Sequence, residues 1–164
     1  MTKDVPATGA RPQAAAPVFS STPLRVVFDT NVLLSLYVFA DSRFAPLRHK
    51  LDSGAWQAVS SADCLAEFRR VLNYPQFGLA TETQESAFAA YAACVSRPSI
   101  ASAAPPVSLP RCRDRDDQKF LEAARDNAAE WLVTSDKALL QLARRERLAG
   151  LFRILTPEAA LLAL

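Results

Sequence analysis

The chain has 164 residues, half of them apolar, and a net charge of only +2, which suits one domain with one core and excludes a bulk polycation. No apolar run approaches the roughly 20 residues that span a bilayer. The opening Met1-Thr2-Lys3-Asp4-Val5-Pro6 lacks a basic stretch followed by a hydrophobic core, so no signal peptide is expected and a cytoplasmic location is.

Residues 1–22, rich in Ala, Pro, Ser and Thr and without periodicity, read as a flexible leader to a domain at 23–164. Leu24-Arg25-Val26-Val27-Phe28 reads as a strand ending at Asp29, followed by a helical run from about Val32 to Phe39. A second helical run, near Phe44 to Leu51, stops at Ser53-Gly54. Trp56–Val59 is a short strand, and Ser60-Ser61 offers a cap for a helix that reaches Leu72 and is closed by Asn73-Tyr74-Pro75. A helix over about Glu82 to Val95 follows. Then comes a Pro/Ser/Ala-rich stretch, Arg97 to Pro110, that reads as a long surface loop. Helix 115–127, strand 131–134, helix 137–147 and strand 152–155 come next, and Pro157 opens a terminal helix in its favoured first-turn position. This alternation predicts an α/β fold, a parallel sheet covered by helices on both faces, with strand order left open. The three cysteines, Cys64, Cys94 and Cys112, are odd in number and lack metal-ligand spacing, so they read as small buried or half-buried residues in a reducing compartment.

Two of the predicted strands end on an aspartate, Asp29 and Asp136, and the carboxyl ends of parallel strands are where open α/β sheets bind ligands. Taken alone, either residue could be an ordinary helix cap. Thr30 and Asn31 add two oxygen-bearing side chains beside Asp29, more than one cap needs. Glu67 falls just beyond the edge of the apolar stripe formed by Cys64, Leu65, Phe68, Val71 and Leu72, from where it could reach a cleft or pair with Arg70 on the surface. Asp117, Phe120, Leu121, Ala124 and Ala128 follow i, i+3, i+4, i+7, i+11. The spacing places Asp117 inside an apolar helical stripe, where an unpaired carboxylate needs a cation or donors. The run Asp114-Arg115-Asp116-Asp117 holds more acids than a cap requires. Carboxylates gathered in this way repel one another unless a hard cation intervenes, and magnesium or manganese suits an all-oxygen set.

These residues resemble a known family in chain order. Val-Val-Phe-Asp-Thr-Asn-Val-Leu-Leu at the first strand is similar to the opening motif of PIN-domain nucleases. Cys-Leu-Ala-Glu-Phe-Arg-Arg-Val-Leu, Cys-Arg-Asp-Arg-Asp-Asp-Gln-Lys-Phe-Leu-Glu-Ala-Ala, Trp-Leu-Val-Thr-Ser-Asp-Lys-Ala-Leu-Leu and the closing Ile-Leu-Thr-Pro-Glu continue it over roughly residues 24–160. The Cys-Arg-Asp-x-Asp-Asp form is closest to the subgroup of toxin components of bacterial toxin–antitoxin systems. Arg115 departs from that subgroup's usual proline, which leaves the acids intact and the loop conformation open.

The resemblance implies a Rossmann-like three-layer α/β/α sandwich with a central, mostly parallel sheet. It further implies cleavage of single-stranded RNA with Mg2+ or Mn2+ held by Asp29, Glu67, Asp117 and Asp136. Thr30 and Asn31 would orient Asp29 or water, Thr134 or Ser135 would play a similar part, and Asp114 and Asp116 would be accessory acids. A small antitoxin partner and a homodimer are also implied. Substrate phosphates could be held by Arg111, Arg113 and Arg115, or by Arg69 and Arg70. No serine or cysteine nucleophile with a base partner is visible, and the single histidine, His49, reads as a solvated surface residue. An aspartyl-phosphate phosphatase would need a second aspartate two residues after the first, where Asn31 stands. The alternative is a degenerate PIN-like module that binds nucleic acid or acts as a scaffold without catalysis.

Overall fold

Val26, Val27 and Phe28 are all buried. A strand turns successive side chains to opposite faces, so this run requires cover on both sides of its sheet. The computed structural model, which describes residues 22–96 and 106–164, supplies that cover. Strand β1 (Leu24–Phe28) is followed by helices α1 (Thr30–Tyr37) and α2 (Ala45–Asp52), strand β2 (Trp56–Ala58), and helices α3 (Ala62–Leu72) and α4 (Thr81–Cys94). Helix α5 (Gln118–Asp126), strand β3 (Trp131–Val133), helix α6 (Lys137–Leu140), strand β4 (Arg153–Leu155) and helix α7 (Pro157–Leu162) complete the described chain.

The four strands pair in the order β2-β1-β3-β4, and every pairing is parallel. One face of the sheet, carrying Val26, Phe28, Trp56, Ala58 and Val133, packs on α1, α2, α3, α4 and α7. Val27, Leu132 and Ile154 on the other face pack on Phe120, Leu121 and Ala124 of α5 and Leu139 of α6. This is the three-layer α/β/α sandwich that the alternation of elements predicts. The chain leaves β1 for β2 on one side and later returns to β3 on the other. The carboxyl ends of β1 and β3 therefore flank a topological switch point, where such sheets open a crevice.

Helix α3 lies across that end of the molecule, with Phe68 and Leu72 in one core and Cys64 in the other. Its start is fixed by Ser61, whose hydroxyl accepts the Cys64 N–H at 3.2 Å. Ser61→Ala removes this cap and is expected to lower stability by about 1 kcal/mol, read from the urea unfolding midpoint.

Several boundaries differ from the sequence reading. Helix α5 begins at Gln118, not near Arg115, because residues 113–117 form bends and turns. Ala128, the last member of the supposed stripe, lies beyond the helix at φ 47°. Helix α6 ends at Leu140. Its i−4 hydrogen bonds give way to i−3 bonds, Leu142 to Leu139 and Ala143 to Leu140, and a 3-10 turn at Glu146–Leu148 brings Leu148 into the core. Val95 leaves α4 and makes a parallel bridge to Ala58. The leader lies outside the described residues except for Thr22, as does the 97–105 part of the predicted loop.

Candidate active site

Asp29 follows β1 and is only 3% exposed. Its Oδ1 accepts the Val32 N–H at 2.8 Å and so caps α1, while its Oδ2 accepts the Thr134 hydroxyl and the Ser135 N–H, the latter at 3.2 Å. Thr134, fully buried at the end of β3, also accepts the Asp136 N–H at 2.9 Å. Asp136 in turn caps α6, its Oδ1 accepting Ala138 and Leu139 N–H groups at 2.7 and 3.0 Å. The parallel register that sets Phe28 beside Val133 is what places these two strand ends together. Capping and site-building are therefore compatible: both aspartates cap a helix and both line the same cleft.

Glu67 reaches the cleft from α3. Its Oε1 accepts the Thr30 hydroxyl at 2.6 Å, and its Oε2 is ion-paired with Lys119 of α5. Thr30 thus holds Glu67; the resemblance implies that it orients Asp29 or water. The partner of Glu67 is Lys119, which no sequence pattern singled out, and not Arg70, the alternative that the sequence left open. Asp117 stands one residue before α5, in helical backbone geometry and without a capping hydrogen bond. It lines the cleft from the turn that precedes the helix, not from within an apolar stripe.

The cleft has a volume of about 190 Å3, and Asn31, Tyr74, Gln76, Phe77 and Phe120 complete its walls. The wall from Tyr74 to Phe77 is a 3-10 turn begun by Pro75, read in the sequence only as the stop of α3. Burial, opposed by the Thr134, Val32 and Ser135 hydrogen bonds, holds the Asp29 carboxyl above the usual carboxylate range. Burial also pushes the Asp117 carboxyl up to about 6, reinforced by the negative charges of Asp136, Asp114, Asp29 and Glu67. Among the described residues, no three acidic, histidine or cysteine side chains yet converge as a ligand cage. The four carboxylates line one space, and three of them are held by donors of the fold.

Asp114 and Asp116 are exposed outside the cleft. Asp114 Oδ1 accepts the Asp116 N–H at 2.9 Å, which ties the turn before Asp117. Ser135 contributes its N–H and turns its side chain to solvent. Arg111, Arg113, Arg115 and Arg125 border a separate groove of about 660 Å3. Arg70, Arg115 and Lys119 line a groove that adjoins the cleft at Glu67. Arg69 points elsewhere, paired with Glu85 at 2.9 Å and stacked over Phe88. His49 is exposed on α2, and all three cysteines are free, with burial pushing the Cys64 and Cys112 thiols up. Volume alone does not pick out the site. A larger groove, about 740 Å3, runs along β4 and past Leu24 and Trp131 at the opposite strand ends.

A parallel α/β sandwich with carboxylates gathered at its switch point defines a class of acidic-cleft domains. A family model described as PIN domain matches residues 25–138, well over half the chain and all four cleft acids, and the chain belongs to this family. Comparisons with curated proteins and with solved structures give no match. PIN domains are in general nucleases, hydrolases acting on nucleic acid, and typically use divalent metals. No helix among the described residues is long and apolar enough to cross a membrane.

Proposed function

We propose that the chain is a divalent-metal-dependent endoribonuclease in which Asp29, Glu67, Asp117 and Asp136 hold the ion and carry the reaction. The observation that supports this reading most strongly is Asp117, a half-buried carboxylate with no capping role, pushed up to about 6 by burial and by the other acids. Its position costs stability unless a cation enters. The donor set fits a hard ion, because every candidate ligand is a carboxylate oxygen.

Magnesium or manganese bound there would supply Lewis-acid activation of water and neutralise charge at the phosphate. Asp29 is fixed for this task by Thr134 and Ser135, Asp136 by the first turn of α6, and Glu67 by Thr30. Water attacks phosphorus in line with the leaving ribose oxygen. That P–O bond breaks, the leaving oxygen takes a proton, and the products are a phosphomonoester end and a hydroxyl end. Arg111, Arg113, Arg115 and Arg125 offer phosphate contacts in their own groove. RNA as the substrate and a homodimer rest on the family resemblance, the toxin role with a small antitoxin partner on its Cys112-Arg113-Asp114-Arg115-Asp116-Asp117 motif, and a cytoplasmic setting on the opening residues and the cysteines. A short DNA-binding reading frame in the adjacent gene would support that role, and its absence there would count against it.

Calorimetric titration with Mn2+ tests the site. Carboxylates must lose their protons to bind the ion, and burial raises the proton affinity of Asp29 and Asp117. Affinity is therefore expected to rise with pH, and to do so through the region near 6 where Asp117 loses its proton. No Mn2+ or Mg2+ binding at pH 7.5 would favour the non-catalytic module instead.

A further inference from the structure

We infer that Lys119 is a positioning residue that competes with a divalent cation for Glu67, so that loading the cleft requires its ammonium to be displaced. This inference rests on the metal-dependent reading above. The Lys119 ammonium is ion-paired with Glu67 Oε2 while donating to the Asp116 carbonyl at 2.6 Å. Both side chains are largely withdrawn from water, Lys119 to 19% and Glu67 to 15% exposure. With Thr30 on Oε1, each oxygen of Glu67 already has a partner.

The direction of approach matters. Glu67 borders both the acidic cleft and the adjacent groove of about 610 Å3, whereas Lys119 borders only the groove. The ammonium therefore meets Glu67 on the groove side. An ammonium and a divalent ion sharing one carboxylate repel each other, and the repulsion is weakly screened where water is scarce. Displaced from Glu67, the ammonium stays beside the Asp116 carbonyl in a groove that also holds Arg70 and Arg115. Loading the cleft would thereby turn a neutral ion pair into a free cation facing a strand's phosphates, so that ion and polyanion favour each other's binding.

The test is calorimetric titration of Mn2+ into the full chain at pH 7.5. Lys119→Met is expected to tighten binding about tenfold, a modest share of the repulsion between adjacent charges at a partly solvated site. Lys119→Arg, which keeps the charge, is expected to bind like the wild type. In a Glu67→Gln background, Lys119→Met is expected to give no such gain. A role of Lys119 confined to holding α5 against α3 predicts equal or weaker binding by Lys119→Met, and that result would overturn the inference while leaving the metal site standing. Binding by Lys119→Met alone supports the inference. Absence of binding by every form removes both the metal-dependent reading and this one.

Discussion

Asp117→Asn is expected to abolish cleavage and, in the same molecule, to raise the melting temperature of the metal-free protein at neutral pH. The first effect follows if Asp117 holds the ion: losing several kcal/mol of charge stabilisation at the phosphate slows the reaction at least about a hundredfold. The second follows from the raised Asp117 pKa of about 6, whose first cause is burial and whose second is Asp136. Between the unfolded value near 3.8 and the folded value near 6, the native protein binds the extra proton. Stability therefore falls as pH rises through that window and remains lower above it. Asparagine has no charge to desolvate, so the variant should lack this contribution to the fall. Melting curves in EDTA from pH 4 to 8 check the sign. A variant that is less stable than the wild type at pH 7.5 would make Asp117 a structural residue.

Asp29→Ala is expected to behave in the opposite way, losing stability and cleavage together. The Asp29 carboxylate caps α1 through Val32 and receives the Thr134 hydroxyl and the Ser135 N–H. Alanine leaves those buried donors without their acceptor and removes the cap. The expected cost is about 3 kcal/mol, with loss of the cap and of buried partners each contributing. Urea unfolding followed by the fluorescence of Trp56 and Trp131, the chain's two tryptophans, measures it. A loss below about 0.5 kcal/mol would mean that the network joining the ends of β1 and β3 contributes little. The contrast between the two aspartates separates a ligand that also builds the fold from one that strains it.

The strand ends were legible in the sequence because Val26–Phe28 and Leu132–Val133 are apolar runs closed by polar residues, and a parallel sheet makes such ends adjacent. The helix starting at Gln118 was not legible. Helical spacing runs through Asp117 by coincidence, whereas the segment before the helix is tied to its first residue by side-chain contacts that apolar periodicity does not register. Gln118 Oε1 accepts the Cys112 N–H at 2.8 Å, and its Nε2 donates to the Pro110 carbonyl at 3.3 Å. Asp117 keeps its place in the cleft although the stripe argument for it fails. At Arg115, where the toxin subgroup commonly has proline, the Asp114 side chain ties the turn instead. The partners of Glu67 were hidden for a similar reason. Thr30 and Lys119 lie on separate elements and meet Glu67 only once α1, α3 and α5 have packed at one end of the sheet.

Cleavage of an end-labelled, unstructured single-stranded RNA by the full chain, in Mn2+ and in EDTA, joins the cleft to its chemistry in one measurement. The expected result is cutting only with the divalent ion, lost in Asp117→Asn. The new ends should be a phosphomonoester and a hydroxyl, because water is the nucleophile. Equal cutting in EDTA, equal cutting by Asp117→Asn, or 2′,3′-cyclic phosphate ends from attack by the RNA's own hydroxyl would contradict it.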